Sequence, residues 1–77
     1  MEVKVLFFAQ IQELFKQDEM VVYDIYSVEE LIDNLKNIAP NLSQYQYIVA
    51  VNEAITKENS ALNNNDVVAL LPPFAGG

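Results

Sequence analysis

One stretch limits the fold more than any other: residues 27–40, where a single amphipathic helix is written between segments of alternating polarity. Ser27 stands as the N-cap, and Glu30, three positions on, completes a capping box in which the two side chains satisfy backbone donors orphaned by the first helical turn. Tyr26, just before the cap, is placed to pack on Leu31 as a hydrophobic staple. Val28, Leu31, Ile32, Leu35, Ile38 and Ala39 recur at helical spacing and form one apolar stripe, while Glu29, Asp33, Asn34, Lys36 and Asn37 make the wet face. Pro40 stops the run, since it has no N–H and clashes with the preceding turn. A lone helix of this kind has to bury its stripe on something, and the rest of the chain offers strands.

Residues 3–9 place Val3, Val5, Phe7 and Ala9 on one side of a strand and Lys4, Leu6 and Phe8 on the other. Its second half is apolar on both sides, which predicts a central strand covered on both faces. Ile11, Leu14 and Phe15 then fall at helical spacing with Gln12, Glu13 and Lys16 outward, a short helical turn. Residues 20–26 alternate again and are rich in Val and Tyr, a strand antiparallel to the first. Beyond Pro40 comes a polar loop. Residues 47–51 make a third strand, and Asn52-Glu53 a tight turn into a short strand at 54–56. The stretch 59–66, with its run Asn63, Asn64, Asn65, Asp66, favours turns and left-handed backbone. Residues 67–71 are apolar throughout, a last strand expected to be buried on both faces, and Pro72 and Pro73 end it because neither donates a ladder hydrogen bond.

This order predicts a two-layer α+β domain over residues 1–71, a mixed sheet packed on one main helix. A right-handed crossover sets the last strand parallel to the first, in the middle of the sheet. That is the ubiquitin-like β-grasp arrangement, with residues 72–77 as an extended C-terminal tail projecting from the sheet edge.

Composition narrows the chemistry. At 77 residues the chain is one small domain, near the size at which a single core is only just sufficient. With 52% hydrophobic and 19% charged residues, it leaves apolar surface over for a partner. It has no Cys and no His, which excludes disulfides, thiolate nucleophiles, imidazole bases and the usual zinc sites, so no metal is expected. Eleven carboxylates stand against Lys4, Lys16, Lys36 and Lys57, with no Arg, for a net charge of −7. Such a surface repels nucleic acid and anionic membrane and attracts basic protein surfaces. The carboxylates, Glu29-Glu30 included, read as a solvated face and a cap; nothing in their spacing suggests the burial a general acid needs. Residues 1–8 lack the features of a signal peptide, and no run approaches the roughly 20 apolar residues of a membrane span. The expected location is the cytoplasm.

The tail Pro72-Pro73-Phe74-Ala75-Gly76-Gly77 holds both glycines of the chain. A random chain ends in two glycines about one time in two hundred. A frayed terminus or a cloning scar ends the same way, but the diproline directly before the pair argues for a designed spacer. Without Cβ atoms, Gly76 and Gly77 make the thinnest possible thread, able to enter a narrow channel. The six residues from Pro72, if extended, reach about 20 Å, and the prolines stiffen the base. The only chemical handle at the tip is the main-chain carboxylate of Gly77. A carboxylate is unreactive until one oxygen becomes a leaving group: attack on the α-phosphate of ATP gives an acyl adenylate, and attack by sulfur then gives a thiocarboxylate. The chain carries no phosphate-binding Gly-rich loop, so no bound cofactor is expected and ATP is used by a separate activating enzyme.

The residues also carry a family resemblance. Val5-Leu6-Phe7-Phe8-Ala9, Glu13-Leu14, Ser27-Val28-Glu29-Glu30-Leu31, Ala50-Val51-Asn52 and the ending from Pro72 to Gly77 resemble the small subunit of molybdopterin synthase. The likeness runs along essentially the whole chain, and the tail with its paired prolines is its most specific part. It implies a non-catalytic sulfur-donor subunit: its terminal glycine is adenylated by an adenylyltransferase resembling ubiquitin-activating enzymes and converted to a thiocarboxylate. The tail is then inserted into the large subunit, where the sulfur passes to the cyclic pterin precursor. Two small and two large subunits make the working heterotetramer. Carried over, Gly77 is the sulfur-bearing group, with Gly76 and Ala75 as the thread and Phe74, Pro73 and Pro72 as partner-binding residues. Because one helix cannot cover both faces of a sheet, part of the first strand, Phe7 included, is also expected to meet the partner. Phe74 stands where the family often has a smaller residue; its ring either enters a pocket of the large subunit or folds back on the carrier's own sheet. Gln12 stands where the family frequently has Arg. Two other functions share these features, a sulfur carrier of thiamine biosynthesis and a ubiquitin-like modifier joined to target Lys side chains. The paired prolines and slightly greater length favour molybdopterin over thiamine.

Overall fold

Ser27 is extended (φ −151°) and its Oγ accepts a 3.1 Å hydrogen bond from the Glu30 N–H, so the main helix starts where its cap is written. The computed structural model describes residues 1–56 and 59–73. In chain order these form β1 (Glu2–Phe7), α1 (Ala9–Phe15), β2 (Glu19–Tyr23), α2 (Val28–Ile38), a 3₁₀ turn (Pro40–Gln44), β3 (Ile48–Val51), β4 (Ala54–Thr56) and β5 (Val67–Leu71). The sheet order is β2-β1-β5-β3-β4. β1 and β5 pair in parallel at its centre, with Lys4 opposite Val67 and Phe7 opposite Leu70, and the other neighbours pair antiparallel. This is the expected β-grasp.

The start of α2 is held differently from the predicted staple. Tyr26 is 54% exposed, and the buried residue before the cap is Ile25. Backbone bonds do the fixing instead: Val28 N–H donates to the Ser60 carbonyl and Leu62 N–H to the Tyr26 carbonyl, both at 2.9 Å. They pull Leu62 into the core. Glu29 and Glu30 in the first turn and Lys36 in the last complement the helix dipole. Leu31 and Leu35 are fully buried and Val28 nearly so, but Ile38 is 53% exposed. The stripe stops short because the chain turns away there: the region read as a polar loop is a 3₁₀ turn that buries Leu42 completely.

The core face of the sheet is Val3, Val5 and Phe7 from β1, Val22 from β2, and Val68 and Leu70 from β5, all packed with the α2 stripe in one cluster. The expectation that β1 and β5 are covered on both faces is corrected here. By register, the second face presents Glu2, Lys4 and Leu6 of β1, Val21 and Tyr23 of β2, Val67, Ala69 and Leu71 of β5, Ile48 and Ala50 of β3, and Ile55 of β4. Among these Lys4, Val21, Tyr23 and Ile55 are exposed, and Leu6, Ile48, Val67, Ala69 and Leu71 are half-buried. One long helix covers one face, and the chain is too short to supply a second layer.

Two turns end strands by left-handed residues. β2 stops at Tyr23, short of the predicted residue 26, because Asp24 has φ 57° and its N–H bonds back to the Met1 carbonyl at 2.9 Å. Between β3 and β4, Asn52 and Glu53 both have positive φ, 50° and 72°, the signature of the tight hairpin turn whose twist matches its strands.

Candidate functional site

β5 is a central strand, so the tail leaves from the middle of the sheet rather than from its edge, as had been expected. Leu71, the last strand residue, lies opposite Ile48; Pro72 follows half-buried and Pro73 exposed. The reactive-end residues Phe74, Ala75, Gly76 and Gly77 lie outside the described residues.

The start of β5 is clamped by side chains. The Asn52 amide donates to Asp66 Oδ1 at 3.0 Å, while its own oxygen accepts from the Val67 N–H at 3.0 Å. Asn63 N–H donates to Asp66 Oδ2 at 2.8 Å, and Asn52 N–H to the Val67 carbonyl at 2.8 Å. The Asn52 amide and then the Asn63 N–H favour the charged carboxylate and hold the Asp66 carboxyl below its ordinary value of 3.8. The clamp ties the β3–β4 turn to β5, and so fixes where the strand that carries the tail begins. The sequence signalled turns here but not this long-range pairing between the β3–β4 turn and the start of β5.

At the other end of β5, a groove of about 530 Å³ opens beside the tail root, lined by Phe8, Ile11, Tyr45, Pro72 and Pro73 with Gln10, Gln44 and Gln46 nearby. Phe7, expected to meet a partner, does not reach the surface. It is 2% exposed, and its ring stacks on Phe15 with centroids 4.2 Å apart and planes 5° off parallel. The alternation of a strand gives its neighbour the outward place: Phe8, which sequence reasoning left out of the site, is 42% exposed and lines the groove. Gln12, on α1, donates its side-chain amide to Asp18, so it is tied to the α1–β2 connection.

No polar or charged side chain is buried among the described residues, and no group of His, Cys, Asp or Glu among them is arranged to hold a metal ion. No described helix is long and apolar enough to cross a membrane. What the described residues supply is a rigid base for the tail, a groove at its root and an open apolar sheet face.

Comparison with known proteins agrees with this geometry. The family model described as "ThiS family" matches residues 5–77. A molybdopterin synthase sulfur carrier subunit of Haemophilus influenzae is 33% identical, the match covering 95% of this chain and 96% of the relative. That of Escherichia coli is 35% identical, covering 97% and 99%. Among solved structures, a Pyrococcus furiosus protein described as a candidate molybdopterin converting factor subunit 1 superposes with a TM-score of 0.85 at 26% identity, covering 95% of this chain and 98% of that one. A chain from the complex of subunits 1 and 2 of the Helicobacter pylori molybdopterin-converting factor superposes at 0.73 with 26% identity, covering all of both chains. Matched by one family model from β1 to its last residue, and by full-length relatives on a shared fold, the chain belongs to the ThiS family, alongside the molybdopterin synthase sulfur carrier subunits.

Proposed function

We propose that this protein is the sulfur-carrier small subunit of a molybdopterin synthase, acting in the cytoplasm, with Gly77 as its covalent sulfur-bearing group. The observation that carries the reading is the union of a rigid central strand, β5, with a diproline-based tail ending in the chain's two glycines. Family membership and the named relatives support it.

The chemistry runs on the tail and on partners. A Gly77 carboxylate oxygen attacks the α-phosphate of ATP in a separate adenylyltransferase, pyrophosphate leaves, and the carboxyl carbon becomes an acyl phosphate anhydride. A sulfur nucleophile attacks that carbon and AMP leaves, giving the thiocarboxylate. Its sulfur is then delivered to the cyclic pterin precursor in the large subunit. The domain's part is recognition. The open sheet face, with Leu6, Val21, Tyr23, Ile55 and Leu71, is the surface we assign to the large subunit, because water-exposed apolar area of this kind is what interface cores bury. The H. pylori chain, which is known in a complex of subunits 1 and 2, supports a large-subunit partner. The net charge of −7 adds steering toward a basic partner. Two small and two large subunits form the proposed assembly, in keeping with the family resemblance.

The test acts at the tip. Deleting Gly77, or adding one residue after it, is expected to abolish sulfur transfer in a reconstituted synthase while leaving thermal unfolding unchanged. Full activity in either variant would falsify the role given to the tail.

A further inference from the structure

We propose that the large subunit adds an extended segment of its own to the free edge of β2, continuing the sheet of this domain into the partner. The inference rests on the sulfur-carrier reading and specifies how that interface is built. Two backbone bonds at the ends of the β1–β2 pairing set which groups face outward. Phe7 N–H donates to the Asp18 carbonyl at 2.8 Å, and Asp24 N–H to the Met1 carbonyl at 2.9 Å. Hydrogen-bonded pairs alternate along an antiparallel ladder, so Met20 and Val22 also turn their N–H and C=O groups to β1. Glu19, Val21 and Tyr23 turn theirs away from it. β1 is the only described element beside β2, and the edge beyond is open. Proteins blunt such edges with Pro, Lys, bulges or very short strands, because unpaired N–H and C=O groups template pairing with another chain. β2 runs five residues, Glu19–Tyr23, in unbroken register with β1 and without Pro, Gly or Lys. β4, at the opposite edge, has only three.

Charge and position choose the occupant. A second copy is disfavoured: antiparallel self-pairing centred on Val21 sets Asp18 opposite Asp24 of the other copy at both ends, on chains of net charge −7 each. Both carboxylates are exposed, Asp18 tied to the Gln12 amide and Asp24 standing 3.6 Å from the Met1 ammonium. An extended segment with Lys or Arg at its ends meets them favourably. Val21 and Tyr23, whose N–H groups point out of the edge, also lie on the sheet face assigned above to the large subunit. The edge is therefore continuous with that face. β2 lies two strand spacings, about 10 Å, from the tail-bearing β5. A partner that takes the tail and covers the face thus reaches the edge too, where main-chain bonds supply affinity and alternate side chains specificity.

Two readouts on the full-length chain, free and bound to the synthase large subunit, test this. By amide hydrogen exchange, the N–H groups of Met20 and Val22 are expected to be slow in both states. Those of Glu19, Val21 and Tyr23 are expected to be fast in the free chain and slowed about tenfold or more in the complex. Val21→Pro removes one outward N–H and spares the β1–β2 ladder, the place in a sheet where proline is tolerated. It should weaken binding about tenfold beyond Val21→Ala, which loses the side chain but keeps the N–H. Slow exchange at Met20 and Val22 in Val21→Pro checks that the strand still forms; where it does not, the exchange pattern of the unsubstituted chain decides. Binding that leaves Glu19, Val21 and Tyr23 fast, or equal losses in Val21→Pro and Val21→Ala, would overturn the strand addition and leave the sulfur-carrier reading standing. No binding to the large subunit would overturn both. Protection of the three N–H groups that appears in the carrier alone and grows with its concentration would make the occupant a second copy, and would overturn the proposal too.

Discussion

At the scale of single residues, the clamp around Asp66 is the most testable feature of the domain. Its hydrogen bonds from the Asn52 amide and the Asn63 N–H exist for the charged carboxylate, so its pKa is lower folded than unfolded. A depressed carboxyl contributes stability that is fully present above its unfolded value, near 4, and is lost as pH falls through the lower folded value. Asp66→Asn should therefore lower stability slightly at pH 7, by less than about 1 kcal/mol because solvent screens the site, and flatten the loss of stability below pH 4. Thermal melts of both proteins from neutral pH to pH 2 check this; parallel curves for the two would remove the charge from the account. The Asn-rich run announced turns because these side chains cap their own backbone. It could not announce that Asn52, fourteen positions away, supplies the partner, because that contact depends on how β3 and β5 come together.

At the scale of elements, helices and strands were legible wherever period and punctuation agreed. α2 follows from its Ser27 cap, its stripe and Pro40, and the β3–β4 hairpin follows from Asn52-Glu53. The hairpin also carries a cost: Glu53 is held at φ 72° without glycine's freedom, a conformation worth roughly 1–2 kcal/mol against most residues. Glu53→Gly should raise stability by up to about 1 kcal/mol, a gain of several degrees for a domain of this size, read by calorimetry. A fall in melting temperature would mean that the Glu53 side chain makes a compensating contact. Two elements were not legible. The 3₁₀ turn looked polar because a single Leu42 anchors it, and one apolar residue leaves no period to read. In β1, alternation correctly grouped Val3, Val5 and Phe7, yet both sides of the strand were apolar. Nothing local told that α2 and α1 would cover the Phe7 side and leave Phe8 facing out.

At the scale of the whole molecule, a 77-residue chain with one long helix closes only one face of a five-stranded sheet. The apolar excess seen in composition is thereby located: it lies on the second face, which the sequence wrote as strand interior and the fold turns outward. Ile55, 62% exposed on the edge strand β4, tests the assignment of this face to the large subunit. Ile55→Asp should change stability by no more than about 0.5 kcal/mol and weaken binding to the large subunit tenfold or more, about 1.4 kcal/mol, in titration calorimetry. Unchanged affinity would move the interface elsewhere. The central claim, that the domain exists to present Gly77 as a sulfur donor, is tested most directly by the mass of the C-terminal peptide after incubation with the adenylyltransferase, ATP and a sulfur source. Replacement of one terminal oxygen by sulfur is expected, dependent on ATP and absent when Gly77 is deleted. A C-terminal carboxylate unchanged in mass, with the tail found instead in amide linkage to Lys of other proteins, would contradict it.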